Sequence, residues 1–332
     1  MKRWLCGVVL VAACSTERVD APPPVPVNWG SLDRPQPVVA RAPTAKERAT
    51  AEAYVTALGA PQLSALAPLF DELGHVAFGR KDARGREKVT AFHEQLFGAF
   101  DQRKTTVTRI WRTDETQSVE WTLSGVHARE WLGVAPTQRP VAIRGITLLW
   151  TRDDGTLTDA HLYFNVAAIK AQLGVGPKDL QERAASLQQA PTQAPPVEQD
   201  GGAAEHREKQ VVRDELDALE QAKEPEYLDV FADDVTVDSL VVPQLRGKDA
   251  IKTYFRGIRH AIGQLDTAIG NIWGIGPFVI VEYTISGEQV APFGAVPPTN
   301  EHSLRLYVVD VLQFQGEKIS HVWRYDGADL AL

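Results

Sequence analysis

The sequence has 332 residues, of which 44% are hydrophobic and 23% are charged, with 25 glycines and 21 prolines. This composition is typical of globular proteins, and it excludes a collagen, a wholly disordered chain and a multi-span membrane protein. The formal net charge is −8, and no block of the sequence is rich in lysine and arginine. A nucleic-acid partner is therefore excluded as well, because phosphate contacts need a basic surface. The length corresponds to two domains of ordinary size.

The N-terminus has the pattern of an export signal. Two basic residues are followed by a short apolar run and by small residues before Cys14. The run is shorter than the roughly 20 residues that a membrane span needs, so residues 1–13 are expected to be a signal peptide. Residues 11–14, Val-Ala-Ala-Cys, resemble the bacterial lipobox, which implies acylation of Cys14 and a membrane contact through this lipid anchor only. In the lipoprotein pattern, an aspartate directly after the acylated cysteine is the signal for retention in the inner membrane. This chain has Ser15 at that position, which favours the outer membrane of the cell envelope. Ordinary cleavage after Ala13 is the alternative.

Cysteine and proline usage set the remaining boundaries. Cys6 is the other cysteine and lies inside the signal, so the mature chain has no disulfide, no thiolate nucleophile and no cysteine-based metal site. Residues 14–43 are proline-rich and are predicted to be an extended tether. Residues 176–204 have the Gln, Ala, Pro and Gly composition of a linker, which leaves two domains, 44–175 and 205–332.

The two predicted domains resemble each other at a constant spacing of 162 residues. The matched pairs are Gly85 with Gly247, Trp111 with Trp273, Glu120 with Glu282, Ser124 with Ser286, Pro136 with Pro298, and Tyr163 with Tyr325. No insertion or deletion is needed between the first and the last pair. Chance does not match tryptophan, proline and tyrosine in one register, and we therefore interpret the spacing as duplication of one domain.

Each copy begins with helical patterns and continues with strands. In the first copy, residues 45–58 and 62–70 have helical patterns, and apolar residues between 89 and 100 recur at the spacing of a long amphipathic helix, as they do between 251 and 262. The period then changes to two, which predicts strands at 105–111, 117–124, 141–151 and 157–164 and, in the second copy, at 267–273, 278–286, 303–313 and 318–325. This order predicts an α+β fold of two tandem domains, each a curved antiparallel sheet wrapped around a long amphipathic helix.

Five segments of the first copy resemble those of a known family. They are 84–87 (Arg-Gly-Arg-Glu), 120–125 (Glu-Trp-Thr-Leu-Ser-Gly), 133–141 (Gly-Val-Ala-Pro-Thr-Gln-Arg-Pro-Val), 163–165 (Tyr-Phe-Asn) and 172–174 (Gln-Leu-Gly). On these residues the chain resembles the SnoaL-like polyketide cyclase family. Its superfamily of cone-shaped α+β folds includes ketosteroid isomerase, limonene-epoxide hydrolase and nuclear transport factor two, so the resemblance implies two tandem cone-shaped domains. The resemblance is weaker in the second copy. It implies a pocket between the long helix and the concave sheet and, in cyclases, a carboxylate acting as general base.

The last strand of each copy supplies candidate site residues. Asp159, His161 and Tyr163 alternate and therefore share one face. We interpret Asp159 and His161 as an acid/base pair and Tyr163 as a hydrogen-bond donor, with a solvent-facing polar strand as the alternative. The family pattern commonly places an aspartate where this chain has Asn165, whose amide cannot accept a catalytic proton. In the second copy the matching face carries three binding candidates, His321, Trp323 and Tyr325.

Further binding candidates lie on the neighbouring strands. Glu120 and Glu282 match across the copies and precede an aromatic residue, which is Trp121 in the first copy. Burial in a pocket would raise the pKa of either glutamate; a solvent-facing position is the alternative. Trp111 and Trp273 are expected either in the core of the sheet or stacked on a ligand.

The histidines give no metal motif in the sequence. His93 lies on the apolar face of the long helix and is expected either in the core or in the lining of the pocket, whereas His75 and His127 are expected at the surface. No pair of histidines has the spacing of metal ligands on one helix. No metal and no cofactor are therefore predicted.

Three classes of function remain open. The first is binding of a small apolar ligand or a protein partner. The second is a cyclase, isomerase or hydrolase with a pocket carboxylate as general base. The third is a structural pseudo-dimer without ligand, in which the two copies pair within the chain or the chain forms a homodimer. Asn165 and the different polar residues of the two last strands favour binding.

Overall fold

The structure is a computed structural model, and it describes residues 45–112, 116–176, 178–186, 204–239, 244–292 and 303–328. The predicted signal peptide, the tether with Cys14, and residues 187–203 of the predicted linker lie outside these ranges. No helix within the described ranges combines the length and the apolar character that crossing a membrane requires.

The first copy, called domain 1 below, comprises residues 45–186. Its helices and strands are α1 (Ala45–Gly59), a 3-10 helix (Leu63–Leu69), β1 (Phe70–Phe78), β2 (Lys81–Arg84), α2 (Arg86–Phe97), β3 (Phe100–Arg112), β4 (Thr116–His127), β5 (Pro140–Thr151), β6 (Leu157–Phe164), α3 (Val166–Gln172) and α4 (Lys178–Ser186). The second copy, domain 2, comprises residues 204–328. Its elements are α5 (Ala204–Glu220), α6 (Glu224–Asp229), β7 (Phe231–Ser239), β8 (Leu245–Arg246), α7 (Gly247–Ala261), β9 (Ile262–Ile275), β10 (Phe278–Gln289), β11 (Ser303–Gln315) and β12 (Lys318–Ala328).

Each domain has one six-stranded sheet, and the two sheets have the same topology. The strand orders are β2-β1-β6-β5-β4-β3 and β8-β7-β12-β11-β10-β9. The predicted α+β fold of two tandem domains is therefore confirmed. Four of the five strand pairs in each sheet are antiparallel, and the fifth, β1 with β6 or β7 with β12, is parallel. The sequence pattern predicted β6 and β12 but neither β1 and β7 nor their parallel pairing.

The repeat spacing holds through most of the structure. Gly85 and Gly247, one matched pair, both adopt the left-handed backbone conformation that favours glycine, at φ 92° and 74°, where α2 and α7 begin. The spacing is 161 for β1 and β7, where Phe70 pairs with Leu157 and Phe231 pairs with Ile319, and it changes again at β5 and β11. Glu120 pairs with Ile146, whereas Glu282 pairs with Val309. Equivalent residues of β5 and β11 are therefore 163 positions apart in the sequence. The expectation of a register without insertions is wrong for this strand.

Helices cover one face of each sheet. In domain 1 the apolar face of α2, including Phe92, Leu96 and Phe97, packs with Trp121 and Phe164 of the sheet. In domain 2 the buried residues Ile251, Phe255 and Ile258 of α7 belong to one hydrophobic core with residues of β10, β11 and β12. Residues 178–186, which the linker prediction included, form α4 and pack against α3. Both domains belong to one compact unit.

Candidate functional site

The predicted catalytic face of β6 is turned away from the helices of domain 1. Ala160, Leu162 and Phe164 belong to the core beneath α2. Because neighbouring side chains of a strand alternate, His161 and Tyr163 lie on the opposite face, where both contact domain 2. They therefore do not line the space between the long helix and the sheet, where the family resemblance places a pocket. The catalytic role of these residues stays a prediction.

Two reciprocal hydrogen bonds join the sheets of the two domains. The Tyr163 hydroxyl donates to Oε1 of Glu282 at 2.6 Å, and the Tyr325 hydroxyl donates to Oε1 of Glu120. Glu120 is fully buried and Glu282 is 3% exposed. A contact from residue i to j that is matched by one from j to i is the signature of a two-fold interface. The matched pairs Glu120/Glu282 and Tyr163/Tyr325 are thus explained by the domain interface.

Each interface carboxylate has its own cationic partner. Arg109 donates two hydrogen bonds to Glu120, from Nε at 2.6 Å and from Nη2 at 2.5 Å. Nδ1 of His161 lies 2.6 Å from Oε1 of Glu282. Asn271 donates a hydrogen bond to the other oxygen of this carboxylate, Oε2. Burial lowers the pKa of His161, but Glu282 and the adjacent Asp159 outweigh it and raise this pKa to about 10. Burial raises the pKa of Glu282, but His161 and Tyr163 outweigh it, and the net direction is downward.

Aromatic side chains complete the domain interface. The Trp111 ring lies 5.8 Å from Phe278, and the Trp273 ring lies 6.0 Å from Trp150, both across the interface. The Arg109 guanidinium lies 3.9 Å above the Trp323 ring, on which His321 stacks at 3.8 Å. Trp111 and Trp273, expected in the core of the sheet or on a ligand, and Trp323, a binding candidate, thus contact protein side chains at this interface.

Asn165 has two structural contacts in place of the missing carboxylate. Its Oδ1 accepts a hydrogen bond from the backbone N–H of Ala168 at 2.7 Å and caps α3. Its Nδ2 donates to Oδ1 of Asp326 in domain 2 at 3.0 Å. An aspartate at this position could not donate that bond. The amide therefore stabilises the contact between the domains.

The interior of domain 1 is occupied by aromatic rings. His93 is fully buried; its Nδ1 donates to the carbonyl of Val89 at 2.8 Å, and its Nε2 lies 2.9 Å from the Tyr54 hydroxyl. Burial lowers the pKa of His93 to about 4. Trp121 is also fully buried and donates to Thr147 at 2.9 Å. Of the two expectations for His93, the core position is the one observed. The surface position expected for His127 is wrong, because it is fully buried.

The interior of domain 2 contains a polar cluster that the sequence analysis missed. Arg324 donates from Nη2 to Oδ2 of Asp310 at 2.6 Å and from Nη1 to the Tyr254 hydroxyl, while the Tyr283 hydroxyl donates to Asp310 at 2.9 Å. Glu215 is 3% exposed and interacts with this ion pair. We call this set, with Tyr227 as hydrogen-bond partner of Glu215, the domain 2 cluster: Glu215, Tyr227, Tyr254, Tyr283, Asp310 and Arg324.

Glu215 is the titratable group of this cluster with a pKa near neutrality. Burial is the largest cause and raises the pKa, Arg324 lowers it, Asp310 raises it, and the result is about 7. A carboxyl group of this kind can exchange a proton at neutral pH. One signal in the sequence points to it: Val212, Leu216 and Leu219 form an apolar helical stripe, and Glu215 lies within that stripe.

Three potential metal ligands meet on β1 and β6. The parallel register places His75 opposite Asp159. Nδ1 of His75 lies 2.9 Å from Oδ1 of Asp159, and Nε2 of His161 lies 3.4 Å from the same oxygen. The side chain of His75 is 14% exposed, so the expected surface position is wrong. The sequence predicted no metal ligands, because this pairing joins residues 84 apart in the chain.

A groove of about 730 Å³ lies between α5 and α6. Its lining is rich in carboxylates, Asp214, Asp217, Glu226 and Asp229 among them. None of the predicted site residues lines this groove.

Comparisons with known proteins identify both domains. A model of the SnoaL-like polyketide cyclase family matches residues 48–173, and a model of the SnoaL-like domain matches residues 212–322. No curated protein matches the chain. Among solved structures, a protein described as a SnoaL-like polyketide cyclase from Jannaschia sp. shares 19% identity over 41% of this chain and 98% of its own, with a TM-score of 0.38. An LEH-like epoxide hydrolase of M. tuberculosis shares 17% identity over 37% of this chain and 85% of its own, with a TM-score of 0.32. A protein with a ketosteroid isomerase-like fold from Catenulispora acidiphila, in complex with trimethylamine, shares 18% identity over 35% of this chain and 84% of its own, with a TM-score of 0.31. The family matches and the two six-stranded α+β domains agree, and the chain therefore belongs to the SnoaL-like family, of which it carries two domains in tandem.

Proposed function

We propose that the chain is an exported lipoprotein that binds a small, mainly apolar molecule in the interior of domain 2, with domain 1 as its structural partner. The observation that carries the proposal is the domain 2 cluster, a buried set of polar groups between the helices and the sheet. Binding sites for small molecules combine an apolar lining with a few polar groups, some of which have perturbed pKa values. The apolar residues around this cluster include Ile251, Leu306 and Val308.

The same positions in domain 1 carry side chains that fill space. Where domain 2 has Arg324 and Tyr283, domain 1 has Leu162 and Trp121, by the spacing of 162. The burial pattern of α5 matches that of α1 at a spacing of 161, which places Tyr54 where domain 2 has Glu215. Polar groups are costly to bury. The Arg324 guanidinium and the Glu215 carboxyl group have an apolar and an aromatic counterpart in domain 1, and this difference supports a ligand role for domain 2 and a packing role for domain 1.

The experiment is native mass spectrometry of the full chain purified from its own membrane, followed by identification of the released small molecules. We expect a molecule of mainly apolar character to copurify. Tyr254→Phe removes one hydroxyl at the cluster and should lower its occupancy about 3- to 10-fold, the equivalent of one lost hydrogen bond. The matched control, Tyr54→Phe in domain 1, should leave occupancy unchanged. A wild-type protein without any bound molecule, or equal losses in both variants, would contradict the proposal.

A second candidate is an enzyme of the isomerase, cyclase or hydrolase type. It is favoured by one observation, the pKa of about 7 of Glu215 in the interior of domain 2, because a general base works best with a pKa near the ambient pH. The mass spectra separate the two candidates. Copurification of a substrate together with its product favours the enzyme, and a single bound species favours binding.

The proposed export rests on the lipobox-like segment that ends at Cys14. We expect the mature chain to begin with an acylated Cys14 and to be recovered with the outer membrane. Cys14→Ser removes the residue that carries the acyl chains. Because these chains hold a lipoprotein in the membrane, the variant should shift to the soluble fraction. A Cys14→Ser protein that stays wholly in the membrane fraction would exclude this anchor.

A further inference from the structure

Two histidines and one aspartate of domain 1 have the arrangement of a metal-binding site. His75 on β1 and Asp159 and His161 on β6 lie side by side because these two strands are parallel neighbours. Their ligand atoms all lie within 4.8 Å of one another. We call these residues the His-Asp-His trio. Both imidazoles direct one nitrogen toward the Asp159 carboxylate, Nδ1 of His75 at 2.9 Å and Nε2 of His161 at 3.4 Å.

The second nitrogen of each imidazole is next to another carboxylate. Nε2 of His75 lies 3.1 Å from Oδ2 of Asp82, and Nδ1 of His161 lies 2.6 Å from Oε1 of Glu282. In metal sites, a ligating histidine almost always donates its other ring N–H to such a carboxylate or to a carbonyl, which orients the ring and raises its basicity. Here both histidines have this outer partner, on opposite sides of the trio.

We propose that the His-Asp-His trio binds a divalent transition metal ion, Zn²⁺ being the best match to two imidazoles and one carboxylate. Tetrahedral zinc with bonds of 2.0–2.1 Å holds its ligand atoms about 3.3 Å apart. Because the ligand atoms lie within 4.8 Å of one another, the trio needs to contract by about 1.5 Å at most. The ion takes the place of the proton between Nε2 of His161 and Asp159, while Nδ1 keeps its proton and donates it to Glu282. The Asp159 side chain is 35% exposed, which leaves an accessible fourth position for water or another ligand. This inference is independent of ligand binding in domain 2.

Domain 2 provides an internal comparison. The repeat spacing places His321 at the position of Asp159, and Trp323 at that of His161. His321 also lies beside a carboxylate, with Nε2 at 2.8 Å from Oδ2 of Asp238. The indole of Trp323 has no nitrogen lone pair that could bind a metal ion. Domain 2 therefore lacks the trio, although it keeps a similar histidine–carboxylate pair. His321 is therefore a matched control.

The experiment uses the full chain, purified without a histidine tag and stripped with a chelator. Co²⁺ is titrated by visible absorption and then displaced with Zn²⁺. We expect one ion per chain. His75→Gln and Asp159→Asn should each weaken binding by about 100-fold or more, and Asp82→Asn, which removes only an outer partner, by about 10-fold. His321→Gln should bind as the wild type does.

Circular dichroism spectra show whether each variant is folded, and His75→Gln tests the site even if Asp159→Asn fails to fold. A wild-type protein that binds less than one ion per chain overturns the proposal. So does a His75→Gln variant that binds with wild-type affinity, or a His321→Gln variant that loses binding to the same extent as His75→Gln.

Discussion

Replacing Glu120 by alanine should lower the free energy of unfolding by about 3 to 5 kcal/mol. Glu120 is fully buried and accepts two hydrogen bonds from Arg109, whose side chain is only 11% exposed, and a third from the hydroxyl of Tyr325. Its removal leaves a buried guanidinium without its counter-charge, and an unpaired buried charge is among the most destabilising changes in a protein. Urea unfolding of the two proteins at pH 7 measures the difference.

An exposed pair of the same kind is the control. Arg256 also donates two hydrogen bonds to one glutamate, Glu224, at 2.6 and 2.9 Å, but Arg256 is 62% exposed. Water solvates the arginine once the carboxylate is removed, so Glu224→Ala should lower the free energy of unfolding far less than Glu120→Ala does. A loss below about 1 kcal/mol for Glu120→Ala, or equal losses for the two variants, would mean that the buried pair does not stabilise the domain interface.

The domain interface shows what a repeat in a sequence can predict. The spacing of 162 identified Glu120, Glu282, Tyr163 and Tyr325 as the important polar residues, but not their role. Strand alternation assigns residues to two faces, and it does not say which face meets the helices. The family resemblance directed attention to a pocket, whereas the structure turns these side chains toward the other domain. The pairing of the two domains was one of the alternatives that the sequence left open.

The two sites that the sequence analysis missed depend on contacts between distant residues. β1 has a weak strand pattern, with the charged pair Asp71 and Glu72 and a glycine at its centre. Its parallel pairing with β6 therefore could not be predicted from local periodicity, and without this pairing His75 has no visible relation to Asp159. The long amphipathic helices and the longer strands were predicted from the sequence because their apolar residues repeat locally at one period, whereas α4 was assigned to the linker.

Glu215 is a different case, since its signal was local. One acidic residue within an apolar helical stripe indicates a buried carboxyl group, and α5 has this pattern. Its partners Asp310 and Arg324 lie on two neighbouring strands of the sheet. Only the fold shows that these three residues meet. The duplicated domains thus differ in their interiors: aromatic rings fill the interior of domain 1, whereas that of domain 2 contains two carboxyl groups and a guanidinium.

Glu215→Gln should stabilise the protein by about 3 kcal/mol at pH 8 and leave its stability nearly unchanged at pH 4. The pKa of Glu215 rises from 4.5 to about 7 on folding, chiefly through burial, and each pKa unit corresponds to about 1.4 kcal/mol. Below pH 4.5 the carboxyl group is protonated in both states and has no effect. As the pH rises from 4.5 to 7, the unfolded chain ionises first, so the wild type loses stability relative to the variant.

The groups that face Glu215 are Tyr227, Arg324 and Asp310, and all three are unchanged in the variant, so their own titration cancels in the comparison. Urea unfolding of both proteins at pH 4, 6 and 8 measures the difference. Glu226→Gln, at an exposed position on α6, is the control and should change stability by less than about 0.5 kcal/mol at each pH. If the difference between Glu215→Gln and the wild type is the same at pH 4 and pH 8, the carboxyl group does not titrate between these values, and the basis for a general base at this position is lost.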